Sequence, residues 1–158
     1  MKKMFLFAAV ALATVSLSAN PLKGWSPTRS DLVGKNPDMI KIAADSITLK
    51  GIANPKKWMY FKASGVNAKK GQPVEFTIKA AGKGVVEIGY YEYRSGFNAV
   101  LLNVKKVALT DKAAEQKIVV TVKHGEATLI RPIICLSTGS QIVLNSFSMK
   151  VNATPAAK

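Results

Sequence analysis

The stretch PVEFTIKA, residues 73–80, decides the fold, because apolar and polar side chains alternate along it without interruption. Val74, Phe76 and Ile78 fall on one side of an extended chain, and the residues between them fall on the other. The same period of two recurs in VVEIGYY, residues 85–91, and in KIVVTVK, residues 117–123. This pattern predicts strands that each have one buried and one wetter face.

Further short strands are predicted where apolar residues cluster between turn-forming Gly, Pro, Asn and Ser residues. They are Ile47–Lys50, Lys57–Ser64, Val100–Leu109, Thr128–Leu136 and Ile142–Val151. No long segment has a period of 3.6, although Thr110–Gln116 has room for one helical turn. We therefore expect an all-β fold built as an antiparallel β-sandwich.

The N-terminus has the pattern of a bacterial signal peptide. The basic Met1–Lys3 precedes an almost wholly apolar run, Met4–Val15, and the small residues of Ser16–Ala19 follow it. Cleavage is expected after Ala19, with cleavage after Ser18 as the alternative. The apolar run is too short for a membrane anchor, and no Cys follows it for lipid attachment. The protein is therefore expected to be periplasmic or secreted.

Composition favours one folded domain over residues 20–151, preceded by the signal peptide (1–19) and followed by a frayed tail (152–158). The chain has 158 residues, of which 48% are hydrophobic, enough for a substantial core. One Cys and one His provide neither an intrachain disulfide nor a zinc site. Cys135 lies in an apolar run and His124 in a turn, so neither is expected to be catalytic.

The acidic residues offer one catalytic alternative. A glycoside hydrolase needs two facing carboxyl groups, and Glu75 and Glu87 could face each other if their strands were neighbours. Nothing in the sequence distinguishes this pair from ordinary solubilising charges. We expect a protein that is not an enzyme, and a hydrolase remains the third hypothesis.

The chain is strongly basic, with 23 Lys plus Arg against 9 Asp plus Glu and a formal net charge of +14. The lysines are spread as pairs and singles. Such a charge is consistent with a soluble surface of positive bias, or with attraction to a polyanion such as an acidic polysaccharide. Export argues against a nucleic-acid partner.

The aromatic residues after Val85 are the most informative for function. Alternation places Glu87, Tyr91 and Tyr93 on the face opposite the buried one, where they would form a flat amphipathic surface suited to a sugar ring. Arg94 follows directly. The tyrosines could equally cover a second layer. In the stretch 58–61, either Trp58 and Tyr60 or Met59 and Phe61 face the core, and the period alone leaves both choices open.

Arg131 interrupts the apolar stretch LIRPI, residues 129–133. A buried charge is costly unless it is paired or turned to water. Arg131 is therefore expected to face a groove, or to form a salt bridge with Glu87 or Glu75.

Two segments together resemble the CenC-type and galactose-binding-like carbohydrate-binding modules. They are WMYFKASGV, residues 58–66, and KGQPVEFTIKA, residues 70–80; the closing stretch GSQIVLNSFSM, residues 139–149, is similar to the family's final strand. The resemblance implies a jelly-roll sandwich. Relatives often hold a structural calcium ion through carboxylates, but Asn145-Ser146 stands here where the family has Asp-Asn, and residues 20–25 contain no acid. No cofactor is therefore expected, and calcium is the single metal that the resemblance raises.

The sequence thus predicts an exported, non-catalytic domain that binds a neutral or acidic glycan. Tyr91 and Tyr93 would stack on sugar rings, Glu87 would accept hydroxyl hydrogen bonds, and Arg94 and Arg131 would donate them. The alternative is a structural or assembly protein of the cell envelope that binds no sugar and exposes apolar strand edges.

Overall fold

A computed structural model describes residues 24–27, 36–51, 57–93, 99–123 and 128–153. Apart from a 3-10 helix, Pro37–Met39, its regular elements are all strands. In chain order they are β1 (Trp25–Pro27), β2 (Ile40–Ile42), β3 (Ile47–Lys50), β4 (Lys57–Lys62), β5 (Val66–Ala68), β6 (Pro73–Lys83), β7 (Val85–Tyr93), β8 (Ala99–Ala108), β9 (Ala114–Thr121), β10 (Thr128–Ser137) and β11 (Gln141–Val151).

The strands form two antiparallel sheets packed as a sandwich. Sheet I has the order β1-β4-β10-β7-β8, with the short β5 also paired to β10. Sheet II has the order β2-β3-β11-β6-β9. Every strand pair is antiparallel, so the predicted all-β, jelly-roll sandwich is confirmed.

The core lies between the two sheets and is built from the apolar positions that the alternation predicts. Val74, Phe76 and Ile78 of β6 are fully buried, and so are Val86 and Ile88 of β7. Burial of each such side chain contributes about 1.5–3 kcal/mol. Tyr60 is also fully buried, whereas Met59 and Phe61 are partly exposed, which settles the choice left open in β4; the side chain of Trp58 lies outside the described residues.

The chain crosses from sheet II to sheet I at Gly84. The φ of Gly84 is +83°, a left-handed conformation that glycine adopts without steric cost. After this turn β7 pairs with β8 and β10, while β6 stays with β9 and β11. The consecutive strands β6 and β7 therefore belong to different sheets. Glu75 of β6 and Glu87 of β7 are not on neighbouring strands, so the facing carboxyl pair that the hydrolase alternative requires does not form.

Two local predictions also differ from the structure. No helical turn forms at Thr110–Gln116, because the Thr110 carbonyl accepts a hydrogen bond from the Gly82 N–H (2.8 Å) and its hydroxyl donates to the Lys112 carbonyl (3.0 Å). Strand β9 then begins at Ala114. Strand β5 was not predicted, since three residues are too few to establish a period.

Within the described ranges, no helix has the length and apolar character needed to span a membrane. The predicted signal peptide and C-terminal tail lie outside the described residues, except for Asn152 and Ala153.

Candidate functional site

The site is the outer face of sheet I around β7. Along this strand Val86, Ile88, Tyr90 and Glu92 are buried, whereas Glu87, Tyr91 and Tyr93 are partly exposed. The pleat therefore directs the odd-numbered side chains outward, as the alternation predicts. Gly89 lies in the same outward row and is buried there.

The two outward tyrosines are in contact but are not coplanar. The ring centroids of Tyr91 and Tyr93 lie 6.1 Å apart, and the ring planes are inclined by 57°. The predicted flat surface is therefore wrong in this respect, because two side chains that rise from a twisted strand point in different directions. The pair therefore offers a bent aromatic surface.

Arg131 of β10 lies beside both tyrosines. It is the strand-pairing partner of Tyr91, and its guanidinium carbon is 5.2 Å from the centre of the Tyr93 ring. Arginine over an aromatic face at this distance forms a cation–π contact. The side chain of Arg131 is partly exposed, and that it faces a groove stays a prediction. The alternative bridge to Glu75 is excluded, since Glu75 belongs to sheet II.

An apolar strip lies beyond β10, on the same side of the tyrosines as Arg131. Met59 of β4 lies across β10, and the Tyr91 hydroxyl donates to its Sδ at 3.4 Å. Phe61, also of β4, pairs with the buried Ile133. Sequence analysis did not assign Met59 or Phe61 to the site. Their period of two was visible, but it left open which of the two faces was the outer one.

Glu87 lies at the far end of the outward row. It pairs with Cys135 on one side and with Lys106 on the other. Tyr91 lies four positions after Glu87, which corresponds to roughly 13 Å along a strand. The face from Glu87 to Tyr93 is therefore long enough to contact several units of a polymer. Arg94, the remaining predicted site residue, lies outside the described residues.

A buried polar network fixes the strand beneath the tyrosines. The Tyr90 hydroxyl donates to the Thr121 carbonyl (2.8 Å), and the Asn103 amide donates both to the Tyr90 oxygen (2.8 Å) and to the same carbonyl (3.0 Å). Glu92 is fully buried and accepts from the backbone N–H of Lys123 at 3.1 Å. These bonds join β7 and β8 of sheet I to the end of β9 in sheet II. They restrain the backbone that carries Tyr91 and Tyr93.

The site brings together groups that can bind a ligand. Cys135 is buried and free of disulfides, as the sequence predicts. In the part of the chain that the structure describes, no group of three or more His, Cys, Asp or Glu residues is arranged to hold a metal ion. The arrangement of aromatic rings, a guanidinium and a carboxylate on one sheet face can stack on sugar rings and exchange hydrogen bonds with hydroxyl groups.

Comparison with solved structures identifies similar folds. A CBM4 structure matches with a TM-score of 0.53 and 11% identity, over 85% of this chain and 90% of its own. The enzymatically active domain of bacteriophage CBA120 tailspike protein 4 matches with a TM-score of 0.54 and 11% identity, over 82% of this chain but only 19% of the tailspike chain. A family 29 carbohydrate-binding module mutant complexed with mannohexaose matches with a TM-score of 0.48 and 13% identity, over 72% of this chain and 75% of its own.

No protein-family model matches the sequence, and no curated protein matches it either. The similarity to the solved structures is therefore one of fold. The resemblance to carbohydrate-binding modules that the sequence indicates is confirmed at this level: the chain has a jelly-roll sandwich similar to theirs.

Proposed function

We propose that this protein is an exported, non-catalytic domain that binds glycan on the outer face of sheet I. The observation that carries the proposal is the grouping of Tyr91, Tyr93 and Arg131 on one partly exposed surface. Tyrosine rings cover the C–H faces of a sugar while their hydroxyl groups stay available for hydrogen bonds. The basic charge of the chain allows the glycan to be neutral or acidic.

Each residue has a separate role in this proposal. Tyr91 and Tyr93 stack on neighbouring rings, and their mutual tilt selects a chain that bends or twists between units. Arg131 donates hydrogen bonds to ring substituents, and Glu87 accepts them at the other end of the face. Arg94 follows Tyr93 in sequence and is proposed as a second donor. The fold similarity to CBM4 is consistent with this role.

The proposal is tested with a fluorescence-read glycan array at low and moderate salt. We expect binding that survives moderate salt, because stacking is not screened by ions as charge attraction is. The double variant Tyr91→Ala with Tyr93→Ala should lose it, and Tyr91→Phe with Tyr93→Phe should retain much of it, since the phenylalanine rings still stack. An absence of glycan binding by the unmodified protein would overturn the proposal.

The second candidate is an assembly role in the cell envelope. Ile42 on edge strand β2 is 63% exposed and Val119 on edge strand β9 is 40% exposed. Exposed apolar residues on an edge favour pairing with another strand. This role is tested by light scattering after size-exclusion chromatography. The unmodified chain is compared with a double variant that carries Ile42→Lys and Val119→Lys. Assembly that the substitutions abolish, together with no sugar binding, would favour it.

A further inference from the structure

Strands β8 and β9 end the two sheets on the same side of the sandwich, and a groove of about 380 Å³ lies between them. β8 contributes its C-terminal half and β9 its centre. The described residues that line the groove are Lys105, Lys106, Val107, Ala108, Gln116, Lys117, Ile118 and Val119.

The floor of the groove is apolar and closed. Val107 and Ile118 are each only 6% exposed. The Gln116 side-chain amide donates to the Ala108 carbonyl at 3.2 Å, which bridges the two sheet edges. The floor is therefore fixed by contacts between both sheets, independently of any ligand.

The rim of the groove is positively charged. It carries Lys105, Lys106 and Lys117, and none of the other described lining residues is acidic. The Lys117 Nζ lies 4.0 Å from Glu75 Oε1, which is longer than a charge-assisted hydrogen bond. Lysine ammonium groups present three donors each and bind oxyanions as point charges.

We propose that this groove is a second binding site, for the carboxylate or sulfate groups of an acidic polysaccharide. The lysines on the two rims hold the anionic substituents, and the apolar floor accepts the C–H surface of a sugar ring. The groove shares no described lining residue with the tyrosine face, which consists of Tyr91, Tyr93 and Arg131. The two sites can therefore be tested separately.

The groove and the tyrosine face are adjacent at one position. Lys106 pairs with Glu87 across β7 and β8, so the rim of the groove borders the end of the outward row. A polymer bound along the outer face of sheet I can therefore continue over the edge strand into the groove. The choice of a glycan as the occupant rests on the proposed function.

The test compares two double variants. The groove variant carries Lys105→Gln and Lys117→Gln, and the control carries Lys69→Gln and Lys70→Gln. The control removes two equally exposed charges from the turn before β6, outside the groove. Binding to polygalacturonate and its methyl ester, and to dextran sulfate and dextran, is measured by isothermal titration calorimetry. The two acidic polymers distinguish a preference for carboxylate from one for sulfate.

We expect the groove variant to bind at least one acidic polymer about three- to tenfold more weakly, with a shallower salt dependence, while the control pair changes little. Equal losses in both variants would attribute binding to overall charge and overturn the proposal, as would equal affinity of the unmodified protein for acidic and neutral polymers. If Tyr91→Ala loses binding and the lysine double variant does not, the groove proposal is overturned and the tyrosine-face proposal stands. If the lysine double variant loses all binding and Tyr91→Ala loses none, the tyrosine-face proposal is overturned instead.

Discussion

The guanidinium carbon of Arg131 lies 5.2 Å from the centre of the Tyr93 ring, although the strand partner of Arg131 is Tyr91. The side chain therefore leans along the strand and contacts the ring of one tyrosine while it starts opposite the other. This contact orients an arginine that would otherwise sample many rotamers. A binding face whose polar group is held in place loses less conformational entropy when a ligand arrives.

Replacement of Arg131 tests that orientation. Arg131→Gln removes the cation–π contact and the planar set of donors, and we expect about five- to tenfold weaker glycan binding, from a contact worth about 1 kcal/mol. The affinity of Arg131→Lys should lie between those of the unmodified protein and Arg131→Gln, because lysine keeps the charge but not the planar set of donors. Calorimetric titration with the glycan found on the array measures both. Unchanged affinity in Arg131→Gln would exclude Arg131 from the site.

The buried network beneath the tyrosines is expected to behave as one unit. Asn103→Ala leaves the Thr121 carbonyl with one donor fewer, and we expect a loss of about 1–3 kcal/mol in the free energy of unfolding. Tyr90→Phe removes the hydroxyl that also contacts this carbonyl. In a double-mutant cycle by urea unfolding, the two losses should be non-additive by at least about 0.5 kcal/mol. Strictly additive losses would contradict the shared network.

Gly89 is expected to be intolerant of a side chain. A Cβ at this position would overlap the Asn103 carbonyl oxygen in the neighbouring strand β8. We expect Gly89→Ala to destabilise the fold by about 1–3 kcal/mol. The control is Gly139→Asn, in an open turn where nothing lies within 4 Å and φ is +77°, a conformation that Asn tolerates. Thermal unfolding of the two variants should differ clearly, and equal stabilities would contradict the close approach of β7 and β8.

Two tyrosines should make stability fall at high pH. Burial raises the pKa of the Tyr60 hydroxyl to about 12, and burial also raises the pKa of Tyr90. The unfolded chain ionises these groups from about pH 10, while the folded chain keeps them protonated. The stabilising contribution is therefore complete below about pH 10 and is lost as the pH rises toward 12.

Absorbance titration and urea unfolding at several pH values measure this loss. Tyr60→Phe should flatten the decline in unfolding free energy above about pH 10. Tyr91→Phe serves as the control, because Tyr91 is partly exposed on the outer face. A decline of the same slope in both variants would contradict the assignment to Tyr60.

Much of the sandwich follows from the period of two, which places Val74, Phe76 and Ile78 inside and Tyr91 and Tyr93 outside. The period does not say which strand is the neighbour of which. Gly84 sends β7 into the other sheet, and this long-range choice separates Glu75 from Glu87. For the same reason, the proximity of Arg131 to Tyr91 depends on the register of β10 against β7, which no local pattern encodes.

The outer face of β4 shows the same limit. Met59 and Phe61 alternate with Trp58 and Tyr60, and both phases are apolar. Burial of Tyr60 follows from hydrogen bonds of its hydroxyl to the carbonyls of Lys50 and Met39, which are distant in sequence. These carbonyls come close to the Tyr60 hydroxyl only when the sandwich has assembled. Met59 then lies on the outer face beside Tyr91.

A calorimetric comparison of three proteins tests whether the tyrosine face binds a sugar polymer by stacking. The unmodified protein, Tyr91→Ala and Tyr91→Phe are titrated at moderate salt with the array-selected glycan, after circular dichroism has established that all three are folded. We predict about tenfold or greater loss of affinity in Tyr91→Ala, corresponding to about 1.4 kcal/mol, and near-retention in Tyr91→Phe. Equal affinity of folded Tyr91→Ala and the unmodified protein would contradict the claim.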